Sequence, residues 1–507
     1  MNRPTSRHPA EERLLDAALQ QLIVAAPIAT KPLPASRPQR RRLVAAAMFL
    51  LGLGVTATMV WQARGSDPGR DRESTPGSGW QDPAAAGTTA KRRAEGRSEL
   101  AKLPVDTTDL VLWASQPSDL AGLTRLTRLR RLQIAVHSRG RGATLWTKSR
   151  AWNEAAADCL APIAALTELE TLSLPGSLRL RPEHLAPLRE LGRLRELTLV
   201  GTHVALDAEL VDALQALRGL RTLHLDIVTL DAAAVERLAA LALEEIEISR
   251  CPGFDAASFA RLCALATLQR VTLGELGRRD FFCDDQSAML WRAGAQDYPK
   301  LAALPALDQL TLRSCAIGRD ELRALPTTIR SLSLHGHELA PGDLGELKRF
   351  GALRDLHLTT RRYNITLGGI FEKDGDEARA DAFAAALGSL RLQSLDYGGT
   401  ITEALLQQLA GQPDLTRLRL LTGTSVPSLG PLAGAPRLSQ LILHENHSPS
   451  TLELDDLAPL ARSKALRVLT IQTVEPRVST AELEGVLGPD VRIEVRSAEL
   501  SVNRSSR

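Results

Sequence analysis

The feature that most constrains this chain is a short leucine pattern that returns. LRELTL, Leu194 to Leu199, comes back as LRTLHL, Leu220 to Leu225, after a segment in which Leu210, Leu214 and Leu217 stand at helical spacing. In LxxLxL the last two leucines alternate with polar residues, which puts them on one face of a strand, while the return path keeps its leucines on one side of a helix. A unit of this kind cannot cover its own apolar face, so it is stable only when stacked on copies of itself.

The central apolar position of the pattern recurs 14 times, at Leu132, Leu172, Leu197, Leu223, Ile246, Val271, Leu310, Leu332, Leu356, Leu395, Leu418, Leu441, Leu469 and Ile493. Successive copies lie 22 to 28 residues apart, except for three steps of 40, 39 and 39. On these residues the chain resembles the leucine-rich repeat family from about Asp109 to Val495. The resemblance implies an α/β solenoid, or horseshoe, of about 14 strand–helix repeats with a parallel sheet on its concave side. Leu110 to Leu112 reads as a capping strand and Val491 to Val495 as its C-terminal counterpart. The family shares a scaffold and no chemistry, so the resemblance implies recognition without specifying what is recognised. A solenoid grows by addition, which lets residues 103–496 of this 507-residue chain form one long domain.

The residues ahead of the repeats have a different character. Pro9 to Ala26 places Leu14, Leu15, Leu19, Leu22 and Ile23 on one helical stripe, with Glu11, Glu12 and Asp16 near the start and Pro27 at the end. This is an amphipathic helix, read as a docking element for a cytoplasmic partner within a cytoplasmic tail of residues 1–42. Leu43 to Trp61 carries no charge over 19 residues, enough to cross a hydrocarbon core as a single transmembrane helix. Arg40, Arg41 and Arg42 abut its start, so the N-terminus is expected in the cytoplasm and the repeats in the periplasm or outside the cell. The 42 residues before the apolar run are too long for the n-region of a cleaved signal. Residues 62–102, a mixture of Gly, Pro, Ser, Ala and charge, read as a disordered linker, and residues 497–507 as a C-terminal tail.

Charge and motifs exclude more than they select. Residues 1–100 hold 15 basic and 9 acidic side chains, which leaves 47 against 50 for the remainder, so the repeats lack the basic surplus of a nucleic-acid reader. No catalytic fingerprint stands in a convincing strand and helix setting, so the chain is not expected to be an enzyme, and no cofactor is expected. None of the five cysteines forms a CxxC pair; Cys251 and Cys315 stand where such repeats turn a small polar residue inward, Cys263 reads as core, and Cys283 as exposed. The outward column of the strands runs through Thr198, His224, Glu247, Ser333, His357, Asp396, Arg419 and Thr470. That mixture selects neither a polyanion nor a polycation. His335, His357 and Asp396 fall on successive strands, roughly 5 Å apart. They read as a polar recognition surface, with a metal site as the sharper alternative.

The three long steps are insertions: His137 to Asp158, Gly274 to Lys300 and Thr359 to Asp381. Each follows a strand, so all three are expected at one edge of the solenoid. They contain Trp146, Trp152, Phe281, Phe282, Trp291, Tyr298, Tyr363 and Phe371, which is 8 of the chain's 17 aromatic residues. Exposed aromatics dominate binding hot spots, so these eight, with His224, His335 and His357, are the partner-binding candidates. The competing role for the aromatics is to anchor each loop on its own repeat. The sequence thus describes a single-pass membrane protein whose leucine-rich repeats recognise a protein ligand outside the cytoplasm. The alternative is an envelope scaffold or adhesin that spaces other components without a high-affinity ligand.

Overall fold

The computed structural model describes residues 91–136, 150–201, 204–274, 293–313, 317–337, 339–360, 376–422, 427–445, 452–473 and 476–497. Across them runs one sheet of 16 parallel strands, each paired with its neighbours in chain order. The repeat register is continuous. Leu110, Leu132, Leu172, Leu197, Leu223, Ile246 and Val271 stand opposite one another in turn. Leu310, Leu332, Leu356, Leu395, Leu418, Leu441, Leu469 and Ile493 continue the row. A slip of one residue would turn a strand's leucines to the other face, so the unbroken row fixes which side chains point outward along the whole sheet.

The core lies between this sheet and the short helices that return the chain. Leu197, Leu223, Leu395 and Leu418 are fully buried, as are Leu214, Leu238 and Leu409 on the helical side. Each such leucine contributes on the order of 2 kcal/mol relative to an exposed one, and the sum over repeats holds the stack. The helices start at side-chain caps set at a fixed place in the repeat. Asp207, Asp231 and Asp255 accept the backbone N–H of Leu210, Ala234 and Ser258 at 2.9, 2.6 and 2.7 Å. Each satisfies one of the free donors of a helix N-terminus. Gly201, at φ +120°, closes against the preceding turn so tightly that a Cβ would meet the Gly176 carbonyl oxygen at 2.1 Å, which no larger residue can do.

Two parts of the fold differ from the sequence expectation. The solenoid does not begin at residue 103: Arg92–Glu95 forms an edge strand beside Asp109–Trp113, and Gly96–Leu100 a helical turn after it. That strand turns only Ala94 into the core, so it carries no leucine signature, and Arg125 fastens the helical turn after it by donating to the carbonyls of Leu100 and Ala101 at 2.9 and 2.6 Å. The second difference is at Tyr397, which replaces leucine between Leu358 and Leu420. Its ring stacks on Phe383 of the 12-residue helix Asp376–Leu387 with centroids 5.0 Å apart. The wider ring pair fills the space behind one repeat.

Among the described residues no helix is long and apolar enough to cross a membrane. The expected helix 9–26, the apolar run 43–61 and residues 62–90 of the expected linker lie outside the described residues.

Candidate recognition site on the open face of the sheet

The helices cover one face of the sheet, and the alternating side chains line the other. Strand register brings Thr198, His224 and Glu247 side by side, then Ser333, His357, Asp396 and Arg419 further along. Two polar clusters result.

The first centres on His224, whose Nδ1 lies 3.0 Å from Glu247 Oε2 and whose Nε2 lies 3.7 Å from Glu196 Oε1. Arg313, two strands beyond Glu247, closes the group by donating to Glu247 Oε1 at 2.5 Å. Burial alone would lower the His224 pKa, but the hydrogen bond to Glu247 and the charges of Glu247, Glu196 and Glu245 together raise it above its ordinary value. Burial likewise works against ionised Glu247, yet His224 and Arg313 hold its carboxyl below the usual range.

The second cluster is a chain of contacts across five strands, from Ser331–His337 to Gln440–Glu445. The His335 and His357 rings lie 4.0 Å apart, and Thr359 Oγ1 is 3.3 Å from His335 Nδ1. His357 Nδ1 lies 3.1 Å from Asp396 Oδ2, which also accepts from Arg419 Nη1 at 3.4 Å. Arg419 Nη2 in turn donates to His444 Nδ1 at 2.9 Å. Burial and the neighbouring Arg419 push the His444 pKa down to about 4, which keeps its ring neutral and able to accept that bond. Beside this chain is a cavity of about 120 Å³ whose lining includes Ser331, Ser333, Asp355, Ser394, Asp396 and Arg417.

The structure thus brings His335, His357 and Asp396 together as the strand order required. Among the described residues no group of three or more His, Cys, Asp and Glu side chains has a geometry that would hold a metal ion. The arrangement instead ties the carboxylate to an imidazole and a guanidinium. His224 belongs to the separate first cluster.

The aromatic candidates divide differently. Trp152 and Tyr298 are fully buried, and Trp152 donates its indole N–H to the Ala114 carbonyl at 3.1 Å. These two rings anchor their insertions on the solenoid and present no surface to a partner, which corrects their assignment as contact residues. Their loops need an apolar foothold, and a large ring inserted beside the sheet provides it. Trp146, Phe281, Phe282, Trp291, Tyr363 and Phe371 lie outside the described residues, as do Cys283 and Cys315. Cys251 and Cys263 are buried, and burial pushes both thiols up to about 12, so they serve packing and not nucleophilic chemistry. Sequence reasoning missed Arg313 and His444 because both stand two residues beyond the central column and reach back diagonally, at distances long side chains can span.

A single sheet of in-register parallel strands, one per short strand–helix repeat, backed by a leucine core, is the architecture of a leucine-rich repeat solenoid. No protein-family model and no curated protein matches the chain. Among solved structures it is similar to an internalin from Listeria monocytogenes, at 16% identity and a TM-score of 0.28, over 68% of this chain and 76% of that one. It is also similar to a chain of the TLR13-ssRNA13 complex, at 16% identity and a TM-score of 0.30, over 76% of this chain and 61% of that one. A chain of the yeast Rad7 and Elc1 complex is similar at 15% identity and a TM-score of 0.40, over 73% of this chain and 82% of that one. Likeness at this distance says nothing of what this chain binds.

Proposed function

We propose that this chain is a membrane-tethered recognition protein whose solenoid binds a protein partner on the open face of its sheet. The observation that carries the reading is the preorganised polar chain from His335 to His444, fixed by strand register and by hydrogen bonds before any partner arrives. Side chains already ordered cost little conformational entropy on binding, so a surface of this kind converts contact into affinity efficiently. Mixed donors and acceptors suit a protein surface of matching pattern. The apolar run 43–61 would supply the tether, with Arg40 to Arg42 keeping the N-terminus in the cytoplasm and the repeats on the far side of the membrane.

Two experiments test the two halves of the proposal. A reporter active only outside the cytoplasm, fused after Arg507, is expected to be active; a silent reporter beside an active cytoplasmic one removes the topology. For recognition, a partner cross-linked from envelope extract is expected to be lost with His357→Glu combined with Arg419→Glu, and kept with Arg237→Glu combined with Arg261→Glu, which alter arginines on the helical side. Equal capture by both variants removes the open face as the site.

A further inference from the structure

The two ends of the sheet are closed in different ways. At the N-terminal edge Arg92 stands opposite Leu110, in the inward row, yet is exposed, and of the strand Arg92–Glu95 only Ala94 is buried. A charged side chain in an inward place at an edge discourages another strand from adding there. At the C-terminal edge the inward places of the strand Arg492–Ser497 hold Ile493 and Val495. Both pack on the core but are only partly buried, whereas Leu469 and Ile471 beside them are 0% and 3% exposed. Val486, on the helix Thr480–Leu487 that precedes the strand, is also only partly buried. Among the described residues this strand pairs with Val468–Thr473 alone, so its outer row of backbone N–H and C=O groups has no strand partner.

The sequence at this open edge is complementary to itself. From Asp490 to Arg496 it reads DVRIEVR, which is antisymmetric in charge about Ile493. Laid antiparallel on a second copy with Ile493 opposite Ile493, Arg492 meets Glu494, Val491 meets Val495 and Asp490 meets Arg496, each pair occurring twice. Opposite charges and paired β-branched residues are what directly opposed positions favour. Other registers lose the match. Centred on Glu494, the pairing sets Arg492 against Arg496 and Glu494 against itself, and centred on Val495 it gives Ile493 only Ser497. A shift by one residue opposes inward side chains to outward ones. Glu494 lies between Arg492 and Arg496 of its own strand, whose side chains are 75% and 50% exposed and so within reach of a neighbouring strand.

We infer that the chain pairs with a second copy of itself through this edge, antiparallel and centred on Ile493, which joins two sheets into one. The same patch serves on both copies, so the contact closes as a dimer. A head-to-tail stack would set Arg92 of one copy in the inward row opposite Ile493 of the next and bury its charge against the core, which disfavours an open filament. The contact lies at one end of the sheet and does not depend on the recognition of a protein partner by the open face.

Sedimentation of the full chain in detergent, with the micelle matched in density to the solvent, tests the inference. The contact is small, so the wild type is expected to pass from monomer to dimer as its concentration rises to ~100 μM. Arg492→Glu and Glu494→Arg each turn two opposite-charge pairs into like-charge pairs, and each is expected to weaken association roughly tenfold or more. Both are expected to melt like the wild type. A mixture of the two single variants restores opposite charges across the contact and is expected to dimerise, as is the double variant. The inference is overturned if the wild type stays monomeric at ~100 μM or grows into a series of larger species. It is equally overturned if both reversals leave dimerisation unchanged, or if the mixture of reversed chains stays monomeric. Dimers that appear only once residues 498–507 are removed would make the chain's own tail the occupant of the edge and overturn it as well.

Discussion

His224 and His444 both stand on the open face of the same sheet, yet their surroundings shift their pKa values in opposite directions. His224 lies among Glu196, Glu245 and Glu247, and its pKa is raised; His444 lies against Arg419, and its pKa falls to about 4. Both are substantially buried, and burial disfavours the charged ring in each case. What differs is the sign of the side chain on the adjacent strands. The leucine row decides where an outward residue stands, and its lateral neighbours decide what it does there. One scaffold therefore favours the charged form of an imidazole in one region and keeps a neutral, accepting one in another.

The largest expected effect concerns the face on which the two regions do not differ. Leu223→Asp, beneath the His224 cluster, and Leu418→Asp, beneath Arg419, each place a carboxylate in a fully buried site. Each is expected to cost more than about 4 kcal/mol and to unfold at least the local repeats, as read by thermal melting. A variant that melts like the wild type would show that the inward row is misassigned in that region. Next comes His444→Gln. Because the folded pKa is depressed from 6.5 to about 4, wild-type stability is intact above pH 6.5 and falls as acid protonates the unfolded chain more readily. The loss between pH 6.5 and 4 amounts to on the order of 3 kcal/mol at most, and the variant is expected to show a flatter melting profile over that window.

His224→Gln is expected to behave in the opposite sense. A raised folded pKa means that the stabilising contribution of His224 is fully present below pH 6.5 and lost as pH rises through the folded value. The variant is therefore expected to be about 1 kcal/mol less stable near pH 6, with the gap narrowing in alkali. A gap that widens with pH would mean that the Glu196 and Glu247 pairing is not what holds the ring. The smallest effect is expected on the helical face. Arg237 pairs with Asp212 at 2.7 Å, but both side chains are about half exposed, so Arg237→Ala is expected to change stability by less than about 0.5 kcal/mol.

Much of this comparison was legible in the sequence. Strand period and leucine spacing named the inward row without error from Leu132 to Ile493, and so placed His224, His357, Asp396 and Arg419 in one outward column. Three things were not legible. The edge strand Arg92–Glu95 has a backbone role and a single inward alanine, so hydrophobic periodicity is silent there. The burial of Trp152 and Tyr298 depends on how a loop folds back, which residue type alone does not reveal, since the same rings serve as anchors and as contact residues. Arg313 and His444 join their clusters through side chains that reach diagonally, beyond the nearest-neighbour pairs that register supplies.

The central claim is that the open face of the sheet is where a partner is read. Histidine labelling with diethylpyrocarbonate, quantified by mass spectrometry in the free chain and in the cross-linkable complex, tests it most directly. The account expects labelling of His335 and His357 to fall on partner binding, with His224 added if the partner spans both regions, and the buried His184 to stay unchanged. Unchanged labelling of all three in a complex whose partner is demonstrably bound would place recognition elsewhere and contradict the account.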